Sequence, residues 1–261
     1  MVVWVYAGGG YAEAGNRALG ISSMASFFGM HLPSCRFIRQ TPALIKPKPK
    51  KQPDEAPENA NQEPKRYEGL TGKSLALEIR RRIRDYWDGT ADVILVIDDA
   101  DDASNDAQKL QERDQSLRVA VTESLIARKI DPTSLKIVVA LAVPELEAWP
   151  IADWENTFPQ ILKNCHMAVM HELSTTHQLD LKHPESFQVI DENGVYRHKL
   201  SEILREVVML RCRGLSYSKA RDTPRLLSLA NPKVISRKCP HFKRFWTEIS
   251  KLCAPSKGAR G

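Results

Sequence analysis

Val93-Ile94-Leu95-Val96-Ile97-Asp98-Asp99-Ala100-Asp101-Asp102 decides how the rest of the chain is read. A short apolar run gives way to four carboxylates within five residues. A continuous apolar run that ends at a polar turn is the pattern of a strand buried on both faces. Carboxylates crowded at its end repel one another unless a cation sits among them. The stretch therefore predicts a strand end that holds a divalent ion, most simply Mg²⁺. Asp99 and Asp101 are the leading ligands, with Asp98 closer to the strand. An acidic turn that only caps the next helix is the plainer alternative.

Working outward, Val2 to Tyr6 is a β-rich run followed by the turn Ala7-Gly8-Gly9-Gly10 and a helical stretch from Glu13 to Phe28. Cys35 to Arg39 reads as a short strand. Ser74 to Trp87 carries Leu75, Ile79, Ile83 and Trp87 at every fourth position, one stripe of an amphipathic helix. Ala107 to Lys129 is a long helix that stops before Asp131-Pro132. Leu135 to Val143 is another apolar strand, and Pro144 is expected to open a short helix. Strands alternating with helices give an α/β fold: a mostly parallel central sheet flanked by helices.

Beyond residue 155 the strand pattern fades. Ser201–Arg213, Thr223–Leu229 and His241–Leu252 read as helices, and Ala168 to Arg197 as a loop with a small hairpin at Asp191-Glu192-Asn193-Gly194. The organisation expected is an α/β core over residues 1–155, a C-terminal helical extension over 156–253 packed on it, and a disordered tail, 254–261. Within the core, residues 42–66 hold Pro42, Pro47, Pro49, Pro53, Pro57 and Pro64 among lysines and acids, and should form a mobile insertion.

In a parallel α/β sheet, sites gather at the carboxyl ends of the strands. The loop after the Leu135 strand reads Pro144-Glu145-Leu146-Glu147-Ala148-Trp149, so Glu145 and Glu147 can meet the Asp98–Asp102 loop and share one or two Mg²⁺ or Mn²⁺ ions. Complementing a helix dipole is the alternative role for these two glutamates. Trp149 reads as core. The formal charge of +6 and the isoelectric point near 9.0 suit a polyanionic partner. Lys73, Arg80, Arg81, Arg84, Lys243 and Arg244 are candidates to hold a nucleic-acid backbone, or else form solvated faces. Gly69-Leu70-Thr71-Gly72-Lys73-Ser74 imitates a phosphate-binding loop but lacks its glycine spacing and a preceding strand.

The five cysteines include no CxxC pair and are expected to be reduced. Cys239-Pro240-His241 has no partner pair at zinc-ligand spacing. The N-terminal run carries no basic leader, and no apolar stretch reaches membrane-spanning length. A cytoplasmic location is expected.

The strand into a glycine turn, the Asp-x-Asp strand end and the second acidic strand end together resemble the Toprim domain of topoisomerases, primases and OLD/RloB-related nucleases. Glu145-Leu146-Glu147-Ala148-Trp149 with Ile151-Ala152-Asp153, and Cys239-Pro240-His241-Phe242, are similar to a Toprim-like family of unassigned function. The resemblance covers most of the chain. It implies a Toprim-like fold and a metal-dependent nuclease that hydrolyses phosphodiesters. Relatives of that group stand beside ABC-type ATPases in bacterial anti-phage systems, so the resemblance also implies an ATPase partner.

Asp99, Asp101 and Glu147 carry over as metal ligands, with Asp98 and Glu145 behind them. Lys219 and Arg221 would place positive charge near the scissile phosphate. The family's catalytic glutamate before the glycine turn is Ala7 here, which implies weak or absent cleavage. The alternative is a catalytically silent subunit that binds nucleic acid or the ATPase, with self-association also possible. Nothing resembles a topoisomerase's DNA-cleaving tyrosine domain or a primase's template-handling module.

Overall fold

The computed structural model of the chain describes residues 1–8, 24–41, 70–103, 106–189 and 198–254. The expected insertion at 42–66, the hairpin at 191–194, Glu13 and nearly all of the tail lie outside the described residues. Four parallel strands form the sheet: β1 (Val2–Ala7), β2 (Arg36–Thr41), β3 (Val93–Asp99) and β4 (Lys136–Ala142), in the order β2-β1-β3-β4. The order reverses between β1 and β3, and crevices for ligands open at such a switch point beyond the strands' carboxyl ends.

Side chains alternate between the two faces of each strand. Trp4, Tyr6, Ile94, Val96, Val139 and Leu141 face one way, against α2 (Gly72–Tyr86) and α3 (Ala107–Ala127). The expected stripe Leu75, Ile79 and Ile83 is the buried face of α2. Val3, Val5, Leu95, Ile97, Val138 and Ala140 face the other way. That side is covered by α1 (Met24–His31) and by the helices after β4.

These later helices are α4 (Ala148–Ala152), α5 (Trp154–Leu162), α6 (His166–Thr175), α7 (Leu200–Arg211), α8 (Lys219–Leu229), α9 (Pro232–Lys238) and α10 (Pro240–Leu252). They share one continuous apolar core with the sheet, so the extension is a layer of the fold, and the boundary expected at 155/156 falls inside α5.

The two motifs Glu-x-Glu-Ala-Trp and Cys-Pro-x-Phe meet in that layer. Trp149 is fully buried, stacked on Phe245 at 5.3 Å between ring centres and edge-on to Phe242 at 4.9 Å.

Three expectations need correction. Pro144 does not open a helix: it follows a cis peptide bond, the chain turns through Glu145 to Glu147, and α4 begins at Ala148. The stretch after Ala168 is not all loop, because α6 runs to Thr175. Four of the five cysteines are paired, Cys35 with Cys253 and Cys165 with Cys212, at Cα separations of 5.8 and 5.6 Å; Cys239 alone is free. The partners lie 218 and 47 residues apart in sequence, so no local spacing could announce them. Among the described residues, no helix is long and apolar enough to cross a membrane.

Candidate functional site

Because neighbouring residues of a strand point to opposite faces, the two aspartates that end β3 go to different places. Asp98 points to the α2–α3 side. Its Oδ2 accepts the Gly72 amide at 2.9 Å and lies 3.8 Å from Arg113 Nε, while its buried Oδ1 has no hydrogen-bond partner. Gly72 has a φ of +51°, a left-handed conformation that favours glycine, and a Cβ there would stand 3.0 Å from the end of the Arg113 side chain. The same bond settles the imitation phosphate loop: an amide that such a loop would offer to phosphate is occupied by a carboxylate.

Asp99 points to the helical side. Its Oδ1 accepts the Leu146 amide at 2.9 Å, and its Oδ2 lies 2.9 Å from Lys219 Nζ. Beyond it the chain turns sharply. Asp101 takes a left-handed φ of 45°, an uncommon conformation that aspartate tolerates, and its amide donates to Pro144 O at 2.8 Å. Arg113 donates to the carbonyls of Asp99 and Ala100 at 2.8 and 2.7 Å, tying the turn to α3. Asp101 Oδ1 meets Lys199 Nζ at 2.7 Å.

The turn after β4 supplies the other acids. Glu145 Oε2 accepts the Ser201 amide at 3.1 Å, and its Oε1 lies 3.1 Å from Lys219 Nζ. Glu147 Oε1 accepts the Thr223 hydroxyl at 2.7 Å, with Tyr217 Oη at 3.5 Å. Its Oε2 stands 3.2 Å from Lys219 Nζ, in ion-pair range but without a hydrogen bond. Asp99, Asp101 and Glu145 each offer an oxygen, and these oxygens lie within 4.8 Å of one another.

Burial is the first cause of the site's electrostatics. It pushes Asp98 up to about 7 against the opposing pull of the Gly72 amide and Arg113, with Asp99 and Asp101 adding to the rise. Burial likewise raises Glu145 to about 7; Lys219 opposes, while Glu147 and Asp99 reinforce. The Tyr217 phenol is driven well up by burial and then by Glu147, so it stays protonated; it lies 2.6 Å from Thr223 Oγ1, whose own proton goes to Glu147. Burial works to lower the Lys199 ammonium, but its bond to Asp101 outweighs this and holds it above its ordinary value.

The cluster thus collects Asp99, Asp101, Glu145, Glu147 and Lys219 from the sequence-derived candidates, whereas Asp98, expected among the ligands, turns to the other face of the sheet because it is the strand neighbour of Asp99. Lys73 is exposed beside Gly72, near the same strand ends. Arg80, Arg81 and Arg84 run away from it along α2, roughly 12–18 Å beyond Gly72 at 1.5 Å per residue. They are engaged with Glu123, Glu78 and Asp85. Lys243 is exposed on α10, and Arg244 reaches Asp114 of α3 at 3.7 Å. Arg221 turns to Asp222 at 2.7 Å and to the Ser216 carbonyl, bracing the start of α8. Ala7 is buried at the end of β1, opposite Ile97.

Lys199, Ser201, Tyr217, Thr223 and Arg113 escaped the sequence reading. They reach the cluster from distant helices and loops and carry no local spacing signal.

A family model described as a domain of unknown function, DUF4276, matches residues 41–250. The chain belongs to the DUF4276 family. The matched span takes in β3, β4, both acidic turns and the two lysines, while β1 with Ala7 lies before it. No curated protein and no solved structure matches this DUF4276 chain.

The donor set suits a hard cation. Every available ligand atom is a carboxylate oxygen, the preference of Mg²⁺, Mn²⁺ and Ca²⁺ rather than of zinc or copper. The buried Glu147 Oε2, which faces the cluster without a hydrogen bond, has the unmet demand that a positive charge satisfies.

Proposed function

We propose that this DUF4276 protein is a metal-dependent nuclease of the Toprim type, acting on nucleic-acid phosphodiesters with Mg²⁺ or Mn²⁺. The observation that carries the reading is the convergence of Asp99, Asp101 and Glu145 within 4.8 Å at the carboxyl ends of two central strands. Asp99, Asp101 and Glu145 would hold the ion, with Glu147 beside them. When bound, such an ion stabilises phosphate charge and lowers the pKa of a water. Lys199, Lys219 and Lys73 supply the nearby positive charge that a polyanion needs. The resemblance extends the proposal to the effector half of a bacterial anti-phage pair, with an ABC-type ATPase as partner and a cytoplasmic setting.

Ala7 favours a second reading. A methyl group stands where the resemblance expects a glutamate, and it can neither hold nor move a proton. A silent subunit would bind ions and nucleic acid, or its ATPase partner, without cutting.

Titration with Mn²⁺ tests the foundation of both. Wild type should bind, and an Asp99→Ala, Asp101→Ala double variant should lose at least about 100-fold in affinity; equal affinity rejects the metal site. Plasmid and tRNA incubated in Mn²⁺ then separate the two readings. Cleavage that Ala7→Glu strengthens supports the nuclease, and binding without cleavage in both proteins supports the silent subunit.

A further inference from the structure

The acidic cluster already holds a cation, and the cation is the chain's own. Lys219 Nζ touches three carboxylates at once: Asp99 Oδ2 at 2.9 Å, Glu145 Oε1 at 3.1 Å and Glu147 Oε2 at 3.2 Å. Each of these acids is anchored through its other oxygen, on the Leu146 amide, the Ser201 amide and the Thr223 hydroxyl. The three oxygens turned inward all face one ammonium, and the Glu145 oxygen also accepts the Ser201 hydroxyl at 3.1 Å.

A divalent ion sits about 2.0–2.6 Å from its oxygen ligands. An ion bound to Asp99 Oδ2 and Glu145 Oε1 would lie within a few ångströms of Nζ, in a buried setting where like charges repel strongly. Both cannot occupy the pocket. Lysine is equipped to leave: its charge rides on a flexible four-carbon stem, and the Lys219 side chain is 29% exposed, so a path to solvent is open.

We propose that Lys219 is a tethered competitor for the divalent ion, which loads only by displacing the ammonium from Asp99, Glu145 and Glu147. The inference rests on the metal reading above and adds to it a threshold. While Lys219 stays in place it occupies the side of the three carboxylates that an ion would use and offsets part of their charge. The ion concentration at which the site fills then depends on how tightly this side chain is held, beside the Lys199–Asp101 pair at its edge.

Two measurements test it, with Mn²⁺ alone as the probe. The first is the Mn²⁺ affinity of wild type, Lys219→Gln and Lys219→Arg by calorimetry, with circular dichroism confirming that each is folded. Lys219→Gln should bind at least about tenfold more tightly, and Lys219→Arg, which keeps a competing charge, should stay near wild type. The second needs no variant. Lys219 in the wild-type protein is acetylated with and without saturating Mn²⁺, and its labelling rate is read by mass spectrometry against exposed Lys243. Release from three carboxylates should raise the Lys219 rate severalfold while leaving Lys243 unchanged.

Mn²⁺ binding to wild type with no rise in Lys219 labelling overturns the competitor and leaves the metal site standing. Binding by Lys219→Gln but not by wild type supports the competitor in its strongest form. Absence of binding in wild type and in every folded variant overturns the competitor and the metal reading together.

Discussion

Two sets of buried acids in this chain are satisfied in different ways. Glu185 accepts the His241 and Phe242 amides at 2.8 and 3.1 Å, one per oxygen, at the start of α10. Asp153 accepts the Asn231 amide at 2.7 Å and the Asn156 side chain at 2.8 Å. These carboxylates pin the helical layer together, and both oxygens are committed to it. Asp99 and Glu147 are each pinned by one oxygen only and turn the other toward Lys219, while Glu145 turns toward Lys219 an oxygen that it shares with the Ser201 hydroxyl at 3.1 Å. The difference separates a structural acid from a poised one. Full satisfaction by nearby polar groups of the fold fixes a shape, whereas one anchored oxygen and one turned toward a side-chain ammonium leave an exchangeable place for a cation.

The largest effect should come from a change that touches only the poised set. Asp99→Asn keeps Oδ1 on the Leu146 amide, and Lys219 keeps Glu145 and Glu147. Because the amide nitrogen then replaces Oδ2 in front of the Lys219 ammonium, the metal-free chain should lose about 1–3 kcal/mol, the cost of a hydrogen bond to a charged group. Mn²⁺ affinity should fall by more than about 100-fold, since losing even a supporting partner of a metal ligand costs roughly 10–100-fold. Calorimetry and urea unfolding read the two quantities separately. A large loss of stability with unchanged Mn²⁺ affinity would move Asp99 into the structural set.

Glu185 tests the opposite case through pH. Burial raises it to about 7, against the pull of the two amides, from an ordinary value near 4.5. Between those values the folded chain binds more protons than the unfolded one, so stability falls as pH rises through that window. Relative to Glu185→Gln, which cannot ionise, wild type should lose roughly 2–3 kcal/mol between about pH 4.5 and 7.5. Melting temperatures of the two proteins across that range supply the check. Parallel curves would show that Glu185 has no raised pKa, and Mn²⁺ binding should be the same in both proteins at any one pH.

Much of this contrast could be read from the sequence, and what was missed has a common cause. β3 and β4 announce themselves because an apolar run of strand length needs no tertiary knowledge to interpret. The acids after them stand out because carboxylates next to such a run are unusual. Asp99, Asp101, Glu145 and Glu147 were therefore visible, and so was the buried role of Trp149. Most of their partners were not. Lys199 comes from 98 residues away and escaped notice, and Lys219, 120 residues away, was singled out only through the family resemblance, because ordinary helix-end charge is the default reading of a lysine. The arginines of α2 also have partners that the sequence reading did not assign. Read as candidates for a nucleic-acid face or a solvated one, they pair with Glu78, Asp85 and Glu123, a pairing set by their place on the helix and by the α2–α3 packing.

The finest division of the two sets runs within one acidic stretch. Asp106 follows Asp99 by only two helical turns' worth of residues, yet its Oδ1 accepts the Gln108 and Lys109 amides at 2.9 and 3.0 Å and caps α3. The plainer expectation for the whole loop, an acidic turn that caps the next helix, is thus true of Asp106 and does not describe Asp99. Asp106→Ala should cost about 1 kcal/mol, the usual loss for an N-cap, because two first-turn amides lose their acceptor. Asp106→Asn should recover most of it, since the amide oxygen caps as well as a carboxylate. Mn²⁺ affinity should not change in either variant, as the loss falls on a helix end and not on the oxygens that face Lys219. If Asp106→Ala weakened Mn²⁺ binding as much as Asp99→Asn, proximity in sequence rather than the committed or open state of each oxygen would govern the site, and the distinction between the two sets of acids would fail.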